Sequence, residues 1–167
     1  MSPLLGLDYG ERRIGAAVSD ESGTLATAVG THRTPADGPF LVWLQRLIAA
    51  RGVTGLVVGL PLGEAGEETP LATKAREFAR KLAAATGLPV ALEDERYSSR
   101  EAAAVLRAAG RRRRKEEVDA LAAEIILQQY LDRRRGTPGA ASPAPGDGPD
   151  PAAPSPPEGS GPPRRRP

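Results

Sequence analysis

Across the first 135 residues the apolar positions change period several times, and each change marks a new structural element. Residues 3–9 (PLLGLDY) and 13–20 (RIGAAVSD) are short apolar runs joined through Gly10 and Glu11, the pattern of a hairpin. A third strand is predicted over 24–30 (TLATAVG), after the turn at Glu21, Ser22 and Gly23. The spacing then becomes helical: Phe40, Leu41, Leu44, Leu47 and Ile48 recur between Pro39 and Gly52. Residues 53–60 (VTGLVVGL) are a continuous apolar run, as expected of a strand covered on both faces. Thr69 and Pro70 form an N-cap and first-turn pair, opening a helix expected to bury Leu71, Ala75, Phe78 and Leu82 and to stop at Gly87. Residues 88–94 (LPVALED) read as another strand. Ser98 and Glu101 make a capping box for a helix ending at Gly110, and a last helix runs through VDALAAEIILQQYLD.

The predicted order is β-β-β-α-β-α-β-α-α. Three hairpin-linked strands followed by αβ units imply an α/β fold, a mixed five-stranded sheet with strand 2 antiparallel, flanked by helices. Right-handed crossovers make the fourth and fifth strands parallel to the first. Sheets of this kind place ligands at the carboxyl ends of their parallel strands.

Composition sets the domain limits. From residue 136 the chain becomes Pro, Gly, Ala and Ser, with 11 of the 17 prolines and no Leu, Ile, Val or aromatic residue. Such a segment has no apolar surface to offset its ordering entropy, so the expected organisation is a folded domain at 1–135 and a disordered tail at 136–167. The net charge is only +2, yet basic residues cluster at Arg111–Lys115, Arg133–Arg135 and Arg164–Arg166. One such run is ordinary surface, whereas three point to a polyanionic partner. The absence of cysteine excludes disulfides and thiolate metal sites. Without a leader-like segment or a long apolar run, the chain reads as soluble and cytoplasmic, with no membrane partner.

The acids fall where this topology would gather them. Asp8 ends the first strand, and Glu93, Asp94 and Glu95 end the fifth. Asp119 lies at the start of the last helix, beside its apolar stripe. Taken singly each has an ordinary reading: Asp8 caps a turn, 93–95 form an exposed strand end, and Asp119 complements the helix dipole. Together they would repel one another unless a cation joined them. With only oxygen donors and a single histidine, His32, Mg²⁺ or Mn²⁺ is indicated and zinc is not. His32 itself is expected at the surface and Trp43 in the core.

Four segments, LLGLDYGERRIGAAVSD, VVGLPLGEAGEETPLATKAREFARKL, LEDERYSSREA and VDALAAEIILQQYLD, resemble the YqgF/RuvX family in order and spacing over residues 3–132. Its members are Holliday-junction-resolvase-like nucleases, also described as pre-16S ribosomal RNA processing nucleases. The resemblance implies an RNase H-like fold, divalent-metal catalysis by Asp8, Glu95 and Asp119, and Asp94 as a further ligand or a supporting group. It also implies nucleic-acid contacts from Arg12, Arg13 and Arg96, to which the run Arg111, Arg112, Arg113, Arg114 and Lys115 adds a basic surface. Arg96 is open to a second reading, a salt bridge to a nearby acid. Glu11 replaces a small hydroxyl residue of the family pattern, Tyr97 replaces an aliphatic one, and the tail has no counterpart in it. Precursor rRNA and branched DNA both remain as substrates, acted on by a monomer or a homodimer. Two other classes stay open: an ATP-binding module, suggested by LGLDYGERRIG, and a non-catalytic nucleic-acid scaffold.

If the 111–115 run grips a nucleic-acid backbone, replacing Arg111 to Arg114 with Ala weakens binding. It also makes log K against log salt shallower by about 0.7–0.9 for each phosphate that is no longer neutralised. Filter binding across a salt series reads both quantities, and an unchanged slope would assign the run to solvated surface.

Overall fold

Side-chain alternation along each strand decides which residues meet which layer. The computed structural model describes residues 2–34, 36–97, 104–105, 107–108, 110 and 114–136. Its elements are β1 (Leu4–Asp8), β2 (Arg13–Ser19), β3 (Ala26–Arg33), α1 (Phe40–Arg51), β4 (Gly55–Leu60), α2 (Pro70–Thr86), β5 (Val90–Asp94), a 3₁₀ turn (Glu95–Tyr97) and α3 (Lys115–Gly136). The capping pair Ser98 and Glu101, the arginines at 111–113 and the segment from 137 onward lie outside the described residues.

The five strands form one sheet in the order β3-β2-β1-β4-β5. β2 is antiparallel to both β1 and β3, whereas β4 is parallel to β1 and to β5. The carboxyl ends of β1, β4 and β5 therefore share one edge, which is where the loops carrying chemistry must emerge. The predicted fold class, the antiparallel β2 and the parallel course of β1, β4 and β5 hold.

Odd and even positions then separate into two cores. Leu5 and Leu7 of β1, Ile14, Ala16 and Val18 of β2, and Leu56, Val58 and Leu60 of β4 pack with Leu44 of α1 and with Ala72, Ala75, Ala79 and Leu82 of α2. On the opposite face Leu4, Ala17, Ala26 and Val57 pack with Ala123, Ile126, Leu127 and Leu131 of α3. Thr69 caps α2 by accepting from the Ala72 N–H at 3.0 Å, and Gly87 ends the helix in the left-handed region at φ 69°.

Three local expectations need correction. β3 reaches Arg33 and does not stop at Gly30. Ala16 pairs with Gly30 while Ala17 pairs with Ala28, so Val29 is the extra residue of a β-bulge that Gly30, at φ 150°, allows the strand to pass. Leu71 is exposed, because α2 approaches the sheet through its alanines at 72, 75 and 79, and those positions turn Leu71 outward. His32 is fully buried, packed 5.4 Å from the rings of both Phe40 and Trp43, since its strand parity points it under α1. In the second basic run Arg133 pairs with buried Glu93, Arg134 lies over Tyr130 and Arg135 pairs with Asp132.

α3 sits unusually close to the sheet because glycines clear its path. A Cβ at Gly6 would stand 2.6 Å from Leu127 Cβ, and one at Gly59 would meet Ile126 Cδ1 at the same distance. At Gly15 it would overlap the backbone carbonyl of Asp119. The helix also covers the edge strand, with Gln128 Oε1 accepting from Ala26 N–H at 2.8 Å and Glu124 Oε2 accepting from Ala28 N–H at 2.7 Å. These bonds occupy donors that would otherwise invite another strand.

Gly15→Ala should cost about 2–3 kcal/mol, because the obstructing group is helix backbone and cannot step aside as a side-chain tip could. Urea unfolding of the two proteins measures the difference, and a loss under about 0.5 kcal/mol would contradict the close contact.

Candidate active site

Three elements deliver the candidate acids to one sheet edge. Asp8 is the last residue of β1 and pairs across the ladder with Gly15 of β2. Asp119 lies in the first turns of α3, its backbone seated on that same Gly15. Glu95 opens the 3₁₀ turn directly after β5. Its carboxylate lies over Gly59, where a Cβ would collide with it. Gly15 and Gly59 thus let the candidate acids come close, a part that residue-type reasoning passed over. The signal was present, since an isolated glycine inside a strand pattern marks a close approach.

Electrostatics shows that the three acids share a field. Burial pushes the Asp8 carboxyl up to about 7, and the charges of Glu95 and Asp119 add to the rise. Burial also raises Glu95, with a further contribution from Asp94. Asp94 behaves in the opposite way: hydrogen bonds from Arg96 hold it below the ordinary carboxylate range. Arg96 grips it with its backbone N–H at 2.9 Å, Nε at 3.0–3.1 Å and Nη2 at 2.6 Å. The guanidinium rests beside Gly66 of the β4–α2 loop, whose φ of 86° brings the backbone close.

Strand alternation sorts the acids after β5. Glu93 and Glu95 face α3, and Asp94 faces away from it. Glu93 is buried at 1% exposure and is tied to Arg133, near the far end of α3. It serves the helix–sheet contact and does not join the group around Asp8. Arg13 donates from Nε to Asp119 Oδ2 at 2.7 Å. Arg12 is exposed beside Glu11, which itself pairs with Lys74 of α2. Of the basic run, Arg114 and Lys115 are described, both exposed at the entrance to α3.

The chain is also similar to known proteins. A family model described as RuvX, Holliday junction resolvase, matches residues 2–133. The chain belongs to the RuvX family. A RuvX relative from Anaeromyxobacter dehalogenans is 48% identical over 132 residues, covering 78% of this chain and 96% of its own. One from Chloroflexus aurantiacus is 40% identical over 144 residues, covering 85% and 94%. Both carry the name "Putative pre-16S rRNA nuclease". Among solved structures, T. thermophilus RuvC in complex with Holliday junction substrate superposes with a TM-score of 0.52 at 14% identity, covering 81% of this chain and 97% of that one. That likeness shows the fold, which is RNase H-like. Membership in RuvX places the chain among nucleases.

The raised carboxyl of Asp8 has a consequence for stability. Because its folded value lies above the unfolded one near 3.8, the protonated acid favours the native state below about pH 4, and that advantage is lost as pH rises through 7. In metal-free buffer Asp8→Asn should therefore leave stability nearly unchanged at pH 4 and raise it by about 2 kcal/mol at pH 8. Thermal or urea melts across this window test the sign. A variant less stable than wild type at pH 8 would show that Asp8 holds its charge in a favourable contact.

Proposed function

We propose that this RuvX-family chain is a divalent-metal-dependent nuclease that hydrolyses phosphodiester bonds in structured nucleic acid, with precursor 16S rRNA as its substrate. The observation that carries the reading is Asp8, a half-buried carboxylate made costly by desolvation and by two further acids drawn from separate elements. A fold retains such a group when a cation offsets its charge. The donor set suits a hard ion: Asp8, Glu95 and Asp119 offer only oxygen, and the chain contains no cysteine. Among the described residues no three acids already converge on one point, and the Asp119 carboxylate is bonded to Arg13. The set fits in chemistry, and Asp8 feels the charge of both other acids.

A divalent ion held by Asp8, Glu95 and Asp119 would supply Lewis-acid polarisation of the scissile phosphate and would lower the proton affinity of the attacking water. The remaining work falls to the chain. Rigid strand ends fix Asp8 and Glu95 against the helix that carries Asp119, so the acids approach a phosphate without reorganising the sheet. Arg12, Arg13 and Arg96 flank the same edge and offer guanidinium donors suited to phosphate oxygens. Arg114 and Lys115 extend positive charge from the start of α3, where backbone contacts position a nucleic acid without reading its sequence. In the hydrolysis a water oxygen bonds to phosphorus, the bond to the leaving oxygen breaks, and that oxygen takes up a proton.

The names of the curated relatives support precursor rRNA as substrate, and the description of the family model supports a DNA junction as the alternative. Product mapping with Mn²⁺ or Mg²⁺ on precursor 16S rRNA and on a four-way DNA junction separates the two. Asp8→Asn, Glu95→Gln and Asp119→Asn should each lower cleavage at least about a hundredfold while remaining folded. Cleavage that survives in Asp8→Asn would remove the assignment, and exclusive cutting of the junction would transfer it to DNA.

A further inference from the structure

Asp119 is anchored through its backbone and steered through its side chain, by two different partners. Its carbonyl is pressed onto Gly15, which fixes this part of α3 against β2. Its carboxylate is held by Arg13 Nε at 2.7 Å. Arg13 opens β2 two residues before Gly15, so alternation places it on the same face as Asp8, the ladder partner of Gly15. The contact is partly open, with side-chain exposures of 36% for Arg13 and 25% for Asp119. An ion pair in that setting is weak and exchangeable. Phosphate, a dianionic or monoanionic group with several acceptor oxygens, matches a guanidinium fork at least as well as one carboxylate oxygen does.

We propose that Arg13 is a built-in counter-cation that keeps Asp119 out of a shared ligand set with Asp8 and Glu95 until a substrate phosphate takes over the guanidinium. The inference rests on the metal-dependent reading above and adds an order to it. Freed of Arg13, Asp119 needs only a side-chain rotation to turn toward Asp8, because its backbone stays seated on Gly15. Metal and substrate then reinforce each other's binding, and linkage requires the effect to be mutual. Without nucleic acid the site stays one ligand short, which limits futile metal loading. Arg13 acts here as a positioning residue.

The test is calorimetric titration of Mn²⁺ into the full chain in chloride buffer without nucleic acid, with circular dichroism to verify folding. Arg13→Gln should bind Mn²⁺ about three- to fivefold tighter than wild type, the effect of releasing one partly exposed ion pair. Arg33→Gln, which removes an equal charge from the exposed ladder partner of Arg13, should change affinity less than about twofold. Sulfate, added at matched ionic strength as a stand-in for substrate phosphate, should tighten Mn²⁺ binding to wild type and leave Arg13→Gln unmoved. Equal affinities for wild type and Arg13→Gln, or equal increases in the two glutamine variants, overturn the role of Arg13 while leaving the metal reading in place. Sulfate that moves neither protein overturns the release step. Absence of Mn²⁺ binding to both wild type and Arg13→Gln removes the metal reading and this inference with it.

Discussion

Everything at the site depends on how closely α3 lies against the sheet. Gly15, Gly6 and Gly59 remove the Cβ atoms that would hold the helix off, and the backbone of Asp119 comes to rest on β2 directly across the ladder from Asp8. Close approach is a steric condition, and packing density makes it unforgiving: a methyl group has nowhere to go where a carbonyl already stands. Glu93 and Arg133 fasten the same helix to β5, and Gln128 and Glu124 fasten it to β3. The helix is thus held at both margins of the sheet as well as over its centre.

That placement determines the electrostatics. Asp8 and Glu95 are pushed toward higher proton affinity by withdrawal from water and by neighbouring like charge. Asp94, one residue from Glu95, has the reverse character because strand parity turns it to Arg96. Adjacent acids of identical chemistry therefore part into different roles through the pleat of one strand. The arginines divide similarly. Arg13 and Arg96 pair with acids at the carboxyl edge of the parallel strands, whereas Arg133 neutralises buried Glu93.

The other face supports this edge without joining it. α1 and α2 pack Leu44, Leu82 and a row of alanines onto Leu5, Leu7 and Val58, and the ring cluster of Phe40, Trp43 and His32 closes the end of that layer. Tyr9 stacks 4.8 Å from Phe78, so the residue that follows Asp8 is anchored in the opposite core. A carboxylate between a buried strand and an anchored tyrosine has little freedom to relax its unfavourable field by moving.

The strand and helix order and the parallel edge were legible in the sequence, because periodicity, caps and glycine turns are local properties that a chain displays one element at a time; Asp8, Glu95 and Asp119 were named as candidates through the family resemblance. β3 was read too short because a glycine signals a strand end and a bulge alike, and only pairing with β2 distinguishes them. His32 was misplaced because a lone polar residue gives no sign of which face its strand will bury. The employment of Arg133 by Glu93 and the hold of Arg13 on Asp119 join residues up to 106 positions apart. Contacts of that range have no local pattern to betray them. They exist only once the sheet has set the parity of each strand end and the glycines have let the last helix come down upon it.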